Sequence, residues 1–275
     1  MRKKKEKIPL CASTADKYVL YQLSVQQPEF EIEFATKVFS ARRMRKPLTL
    51  REDFCGTALL CAAWVKSDPA RCATGVDLDP KVLAWGTAHN LALLGAMQSR
   101  VKLECRNVLV PDPNRYDVIA ALNFSYFVLS SRVEMRRYFE TARASLNQDG
   151  MLILDTYGGW EAQEPVKEPR EVESDTHETF TYEWDQHSIN PIDSSVVNFI
   201  HFRFRDGSAL ERAFTYRWRL WQLVELQELL TEAGFASSAV YWEDEDEDGE
   251  GTGVFRPRKT VSNDPGWLAY IVASV

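Results

Sequence analysis

The chain has 275 residues, 45% hydrophobic and 27% charged, the balance of a globular protein with room for one large domain or a core plus a smaller unit. A formal net charge of −7 argues against a molecule that binds polyanions as a whole, so no nucleic-acid partner is expected. The longest apolar run, residues 58–65, falls far short of the ~20 residues that span a bilayer, so no membrane partner is expected either. The basic start, Met1-Arg2-Lys3-Lys4-Lys5-Glu6-Lys7, lacks the apolar segment of a secretion signal and reads as a solvated terminus. Five cysteines (Cys11, Cys55, Cys61, Cys72, Cys105) form no Cys-x-x-Cys pair and no metal-like grouping with the four histidines. They suggest reduced thiols, a cytoplasmic location and no metal centre.

Residues 1–47 read as an N-terminal helical cap. Leu20, Leu23, Phe30, Phe34 and Val38 recur at roughly helical spacing, Pro28 starts a second helix and Pro47 ends the region. A short strand at 48–50 then leads into the turn at 51–57, followed by a buried helix at 58–65. Residues 73–77 form a second strand, with Pro80 opening a helix that runs through Leu94. Further strands fall at 101–105, 116–122 and 151–155, with a helix at 133–146 and a turn at Gln148-Asp149-Gly150. This alternation implies βαβ units and a parallel sheet over residues 48–157. Residues 158–220 change character. Aromatic-rich alternating runs at 180–184, 196–204 and 213–220, with turn signals at Asn190-Pro191 and Asp206-Gly207, predict an antiparallel β insertion. Residues 221–275 return to a helix at 221–233, stopped by Gly234, and two last strands at 239–242 and 267–275. The acidic stretch 243–253 between them reads as a solvated loop.

The turn after the first strand carries chemistry. A small residue, Gly56, ahead of a helix N-terminus allows a ligand to approach unpaired backbone N–H groups. About twenty residues on, Asp77 stands at the end of the second strand, where a carboxylate can accept both hydroxyls of a ribose. The pair points to an adenosine-containing ligand, an arrangement that dinucleotide-binding folds share.

Glu52-Asp53-Phe54-Cys55-Gly56-Thr57-Ala58 resembles the first motif of class I S-adenosylmethionine-dependent methyltransferases, and Gly75-Val76-Asp77-Leu78-Asp79 resembles their second-strand motif. Asn107-Val108, Asn123-Phe124-Ser125-Tyr126 and Asp149-Gly150-Met151 are similar to later family segments in the same order, over roughly residues 48–157. The resemblance implies a Rossmann-like sheet of seven strands, mostly parallel, with N-terminal helices and an antiparallel insertion after the fifth strand. It also implies S-adenosylmethionine as cofactor, with S-adenosylhomocysteine as product. Glu52, helped by Asp53, is expected to fix the methionine amino end, and the backbone of Phe54, Cys55 and Gly56 to line the cofactor. Asp77 is expected to bind the ribose and Leu78 to pack on the adenine, whose edge Asn107 and Val108 hold. Two departures stand out. Phe54 replaces a small residue, which disfavours a pyrophosphate, and Ala58 replaces a glycine, harmless if that position is already helical. Cys55 reads as a packing residue and not as a nucleophile.

Asn123-Phe124-Ser125-Tyr126 partly resembles the Asn-Pro-Pro-Tyr motif of amino-group methyltransferases, keeping its first and last residues. By that likeness Asn123 and Tyr126 are the catalytic candidates. Asn123 and Phe124 also border the cofactor, and Tyr126 also borders the substrate; the alternative is a strand-end turn with two core aromatics. Arg217, Trp218 and Arg219 in the insertion are further candidates for the substrate wall, which the insertion supplies as a lid. The insertion reads equally well as its own core or as a homodimer contact. The expected function is methyl transfer to a small-molecule acceptor, nitrogen ahead of oxygen or carbon. A protein or RNA methyltransferase and a catalytically silent cofactor-binding protein stand as alternatives.

Overall fold

The structure, a computed structural model, describes residues 7–275; residues 1–6 of the basic start lie outside the described residues. Two helices come first, α1 (Lys17–Ser24) and α2 (Pro28–Arg43). Asp16 caps α1 by accepting the Tyr18 N–H, and Pro28 sits in the first turn of α2, where a missing N–H is tolerated. Next come β1 (Thr49–Asp53), α3 (Leu59–Ser67), β2 (Cys72–Asp77), α4 (Pro80–Gly86), β3 (Val101–Cys105) and β4 (Tyr116–Ala121). They are followed by α5 (Arg132–Ala144), β5 (Leu146–Gly158), β6 (Val166–Val172), β7 (Phe180–Asn190), β8 (Ser195–Arg203) and β9 (Ala209–Arg219). The chain closes with α6 (Leu223–Glu232), β10 (Ser237–Glu245), β11 (Gly251–Arg258) and β12 (Trp267–Ser274). In place of one helix to Leu94, α4 passes into π-helical and 3-10 turns that break at Gly95.

The described chain forms two compact units. The larger, Gln27–Gly158 with Trp221–Val275, is built on an eight-stranded sheet in the order β11-β10-β12-β5-β4-β1-β2-β3. β1 to β5 run parallel, whereas β12, β10 and β11 each run antiparallel to the neighbour before them. β4 is buried at every position, as a central strand covered on both faces must be. Phe34, Ala35 and Val38 of α2 and Leu60 and Trp64 of α3 pack over Leu50, Val118, Ala120 and Ile153 on one face. On the other face Tyr138 of α5 reaches down to Asp53.

The eighth strand, β11, lies partly where the acidic stretch reads as loop. Asp244 faces Arg256 and Arg258 across the β10–β11 pair at 2.6 Å each, so cross-strand charge pairing does there what apolar alternation does elsewhere. Gln148-Asp149-Gly150 belongs to β5, where the pairing with β4 slips between Leu146 and Met151.

The smaller unit joins residues 7–26 to Gly159–Leu220, so the segment expected as one cap over 1–47 divides at Gln26. Its sheet has the order β6-β7-β8-β9, all antiparallel. β6 escapes a period-two reading because Lys167, Glu168, Pro169, Arg170 and Glu171 carry no apolar alternation, and a proline fits only such an edge strand. Phe180, Ile200 and Phe202 pack with Leu10 and Leu20 into a core of the unit's own.

Candidate active site

The strand order reverses at β1, which has β4 on one side and β2 on the other. Outside the carboxyl ends of such strands an α/β sheet forms its crevice. The loop leaving β1 places Phe54, Gly56 and Ala58 in the left-handed region, at φ of 58°, 51° and 55°. Only Gly56 accepts this conformation freely, and a Cβ there would meet nothing within 4 Å, so open space lies above the loop. Ala58 is not helical as expected. It is the N-cap of α3, strained, with no side chain to cap the helix. Gly75 of β2 is glycine for a different reason: an added Cβ would stand 2.8 Å from the Cys55 sulfur. Cys55 is buried and burial pushes its thiol pKa up, which suits packing and not nucleophilic attack.

Asp77 ties the two strand ends together. It accepts the Gly56 N–H at 2.8 Å and the Asp79 N–H at 2.9 Å, one on each carboxylate oxygen. Leu78 beside it is 63% exposed, a large apolar side chain left on the rim. Asn107, also exposed, accepts the Leu109 N–H at 2.9 Å in a local turn, and Val108 is buried.

Glu52 and Asp53 do not act together, because successive strand residues point to opposite faces. Glu52 accepts the Cys61 N–H at 3.1 Å in the first turn of α3, supplying the cap that Ala58 lacks. Burial, with repulsion from Asp77 and Asp53 added, raises its carboxyl to about 7. Asp53 faces α5 instead, held by two bonds from Arg51 at 2.8 Å and one from the Tyr138 hydroxyl at 3.0 Å. It is buried on that side, while Glu52 faces α3.

At the end of β4, Asn123 and Phe124 are both left-handed, at φ of 55° and 56°. Their consecutive N–H groups converge on the carboxylate of Asp155, at 2.6 and 2.9 Å. Burial lifts that carboxyl to about 7 against the pull of the two N–H groups. Tyr126 is fully buried and donates its hydroxyl to the Asp155 carbonyl at 2.9 Å. It braces the turn, with its hydroxyl engaged by that carbonyl. Asp155 itself went unnoticed in the sequence, although a lone carboxylate ending the apolar run Met151-Leu152-Ile153-Leu154 is a legible signal. A second missed group is Glu31 of α2. It shares a stripe with Phe34, Ala35 and Val38, and its carboxyl is raised to about 8 by burial first, then by repulsion from Glu52, Asp155 and Glu29.

In the insertion, Arg217 and Arg219 share one face of β9 while Trp218 occupies the other, so the three do not form one wall. Trp218 stacks on Tyr216 at 4.3 Å, on the face where Tyr216, Tyr182 and Trp184 pack against the unit's own core. The opposite face is ionic: His201 lies between Asp185 and Glu211, and Arg203 bonds Glu183 and Glu211.

No protein-family model and no curated protein matches this chain. Solved structures match it along nearly their whole length. An S-adenosylmethionine-dependent methyltransferase from Clostridium acetobutylicum is 13% identical, with a TM-score of 0.67 over 94% of this chain and 97% of that one. An amino pentose methyltransferase from Micromonospora echinaspora, solved with S-adenosylmethionine bound, is 15% identical, with a TM-score of 0.66 over 94% and 96%. A sugar N-methyltransferase from Streptoalloteichus is 17% identical, with a TM-score of 0.63 over 100% and 99%. The chain shares their fold, a Rossmann-like methyltransferase sheet, and in this chain a four-stranded antiparallel sheet is inserted after β5. Among the described residues no helix is long and apolar enough to cross a membrane.

Proposed function

We propose that this chain is an S-adenosylmethionine-dependent methyltransferase whose acceptor is a small molecule, methylated on nitrogen in preference to oxygen or carbon. One observation carries the reading: the Gly56 N–H and the Asp77 carboxylate meet at 2.8 Å beneath open space, with Leu78 exposed beside them. A carboxylate oxygen keeps further acceptor capacity after one bond, so Asp77 can still receive ribose hydroxyls. Leu78 offers an apolar face to an adenine, and Asn107 and Val108 border its edge. The open loop at Gly56 admits the backbone approach that a bound methionine moiety needs. Glu52 and Asp155, both near 7 through burial, favour a cationic ligand, since a positive charge beside them stabilises their ionised forms.

Bound S-adenosylmethionine supplies an activated methyl group on a positively charged sulfur. The protein supplies orientation. Asp155 locks the Asn123–Phe124 turn through two N–H groups, holding the Asn123 amide at the strand end where an acceptor nitrogen would be aligned. The structural neighbours that methylate an amino pentose and a sugar nitrogen support nitrogen as the target.

Labelled S-adenosylmethionine offered with amines, phenols, carboxylates, peptides and RNA tests the reading. Label should appear on an amine; label on peptide or RNA would replace the acceptor class. S-adenosylhomocysteine should raise the melting temperature and NAD should not. Stabilisation by NAD alone would overturn the cofactor.

A further inference from the structure

Three of the five residues that follow β1 are left-handed, and two of them, Phe54 and Ala58, carry a side chain that disfavours it. Such a path persists only where its surroundings impose it. One continuous piece of chain, from Val76 to Asn90, does so. The Val76 carbonyl accepts the Cys55 N–H at 3.0 Å, and the Asp77 carboxylate accepts the Gly56 N–H at 2.8 Å. Thr57 comes next, buried together with Asn90. The Asn90 side-chain amide donates to the Thr57 carbonyl at 2.8 Å. Four residues earlier, Gly86 lies against the same carbonyl: an added Cβ would stand 2.3 Å from its oxygen. Gly86 is helical, at φ of −59° and ψ of −39°, so the position needs the missing Cβ and not backbone freedom. The π-helical turn Thr87–Leu91 begins directly after Gly86 and carries Asn90, an irregularity that helices often place at functional sites.

We infer that Asn90 and Gly86 are positioning residues for the cofactor, holding the Gly56 loop in the shape that admits it. This rests on the function proposed above and names what pre-organises that site. The segment that supplies Asp77 and Leu78 also supplies the seat and the clamp for Thr57, so the two ends of the adenosyl site keep one geometry. Asparagine suits the task because its amide donates without a charge, and a buried carbonyl needs a donor. Without the clamp, Phe54 and Ala58 are free to leave the left-handed region. A loop that spends about nine-tenths of its time elsewhere binds its ligand about tenfold more weakly.

The test uses the whole chain and S-adenosylhomocysteine in calorimetric titration, with hydrogen exchange as a readout that needs no ligand. Asn90→Ala should weaken the affinity by about tenfold while one site per chain is retained. A merely structural fault would lower the number of competent sites and leave the affinity of the remainder unchanged. Gly86→Ala should weaken the affinity by about tenfold or more, although alanine favours the helix itself, because its Cβ displaces Thr57. In ligand-free Asn90→Ala the Gly56 amide should exchange about tenfold faster, while the amides of β4 keep their wild-type rates. Should Asn90→Ala not fold, Asn90→Leu fills the same space without a donor and should give the same loss. Affinity within about twofold of wild type in a folded Asn90 variant overturns the inference. If the wild-type chain binds no S-adenosylhomocysteine, the functional reading fails, and the wild-type titration alone delivers that result, so the two failures are distinguishable.

Discussion

The two faces of the large sheet treat buried charge in opposite ways. On the α5 side, Arg51 and Asp53 are both fully buried and joined by two bonds at 2.8 Å. Asp112 stands 3.9 Å from Arg51 and is held by Arg106 at 2.6 Å, so each acid there has a cation. On the α2–α3 side, Glu31, Glu52 and Asp155 are all raised in pKa, and no lysine or arginine bonds to any of them among the described residues. The division follows from strand alternation alone: along β1, Arg51 and Asp53 point one way, Leu50 and Glu52 the other. Paired interior charge is architecture. Interior charge of a single sign is best met by a cation from outside, and S-adenosylmethionine would bring two, its sulfonium and its amino group.

The contrast is broken most forcefully on its paired side. Arg51→Ala should lower unfolding stability by about 3–5 kcal/mol, because it strands Asp53 without its partner in the interior. A urea titration showing less than about 1 kcal/mol would remove the architectural role.

The next effect is pH dependence in the ligand-free protein. The folded values of Glu31, Glu52 and Asp155, about 8, 7 and 7, lie above their ordinary 4.5, 4.5 and 3.8. The native state therefore binds extra protons between those limits. The stability these three groups contribute is fully present below the ordinary values and is lost as pH rises through 7 and 8. Melting temperature should drop by several degrees across that range, and S-adenosylmethionine should recover part of the loss. A flat profile would mean that the acids are not raised.

The smallest effect sharpens the unpaired side. Glu52→Gln keeps an oxygen for the Cys61 N–H and removes the charge, so stability at pH 8 should change by less than about 1 kcal/mol or rise. A large loss would show that the charge itself serves the fold.

Much of this architecture was legible from residue order. The central strands β4 and β5 announce themselves as apolar runs, and Gly56 and Asp77 stand about twenty residues apart at two strand ends that the sheet brings together. Glu52 and Asp53 were grouped because they adjoin in a motif, although alternation alone separates them. The burial of Tyr126 is not legible in the sequence, because it follows a left-handed pair at Asn123 and Phe124 that residues other than glycine rarely adopt. β6 and β11 are stabilised by cross-strand partners, and no pattern within either segment reveals them. Glu31 and Asp155 were readable in principle, as lone acids set in an apolar helix stripe and at the end of an apolar strand.

The central claim is that the Gly56 loop and Asp77 together hold an adenosyl ligand, and titration of S-adenosylhomocysteine into the wild-type chain and Asp77→Ala tests it most directly. The account predicts one saturable site in the wild type and affinity weakened by about 1–3 kcal/mol in a variant that remains folded. Equal affinity in the two proteins, or no binding to the folded wild type, would contradict it.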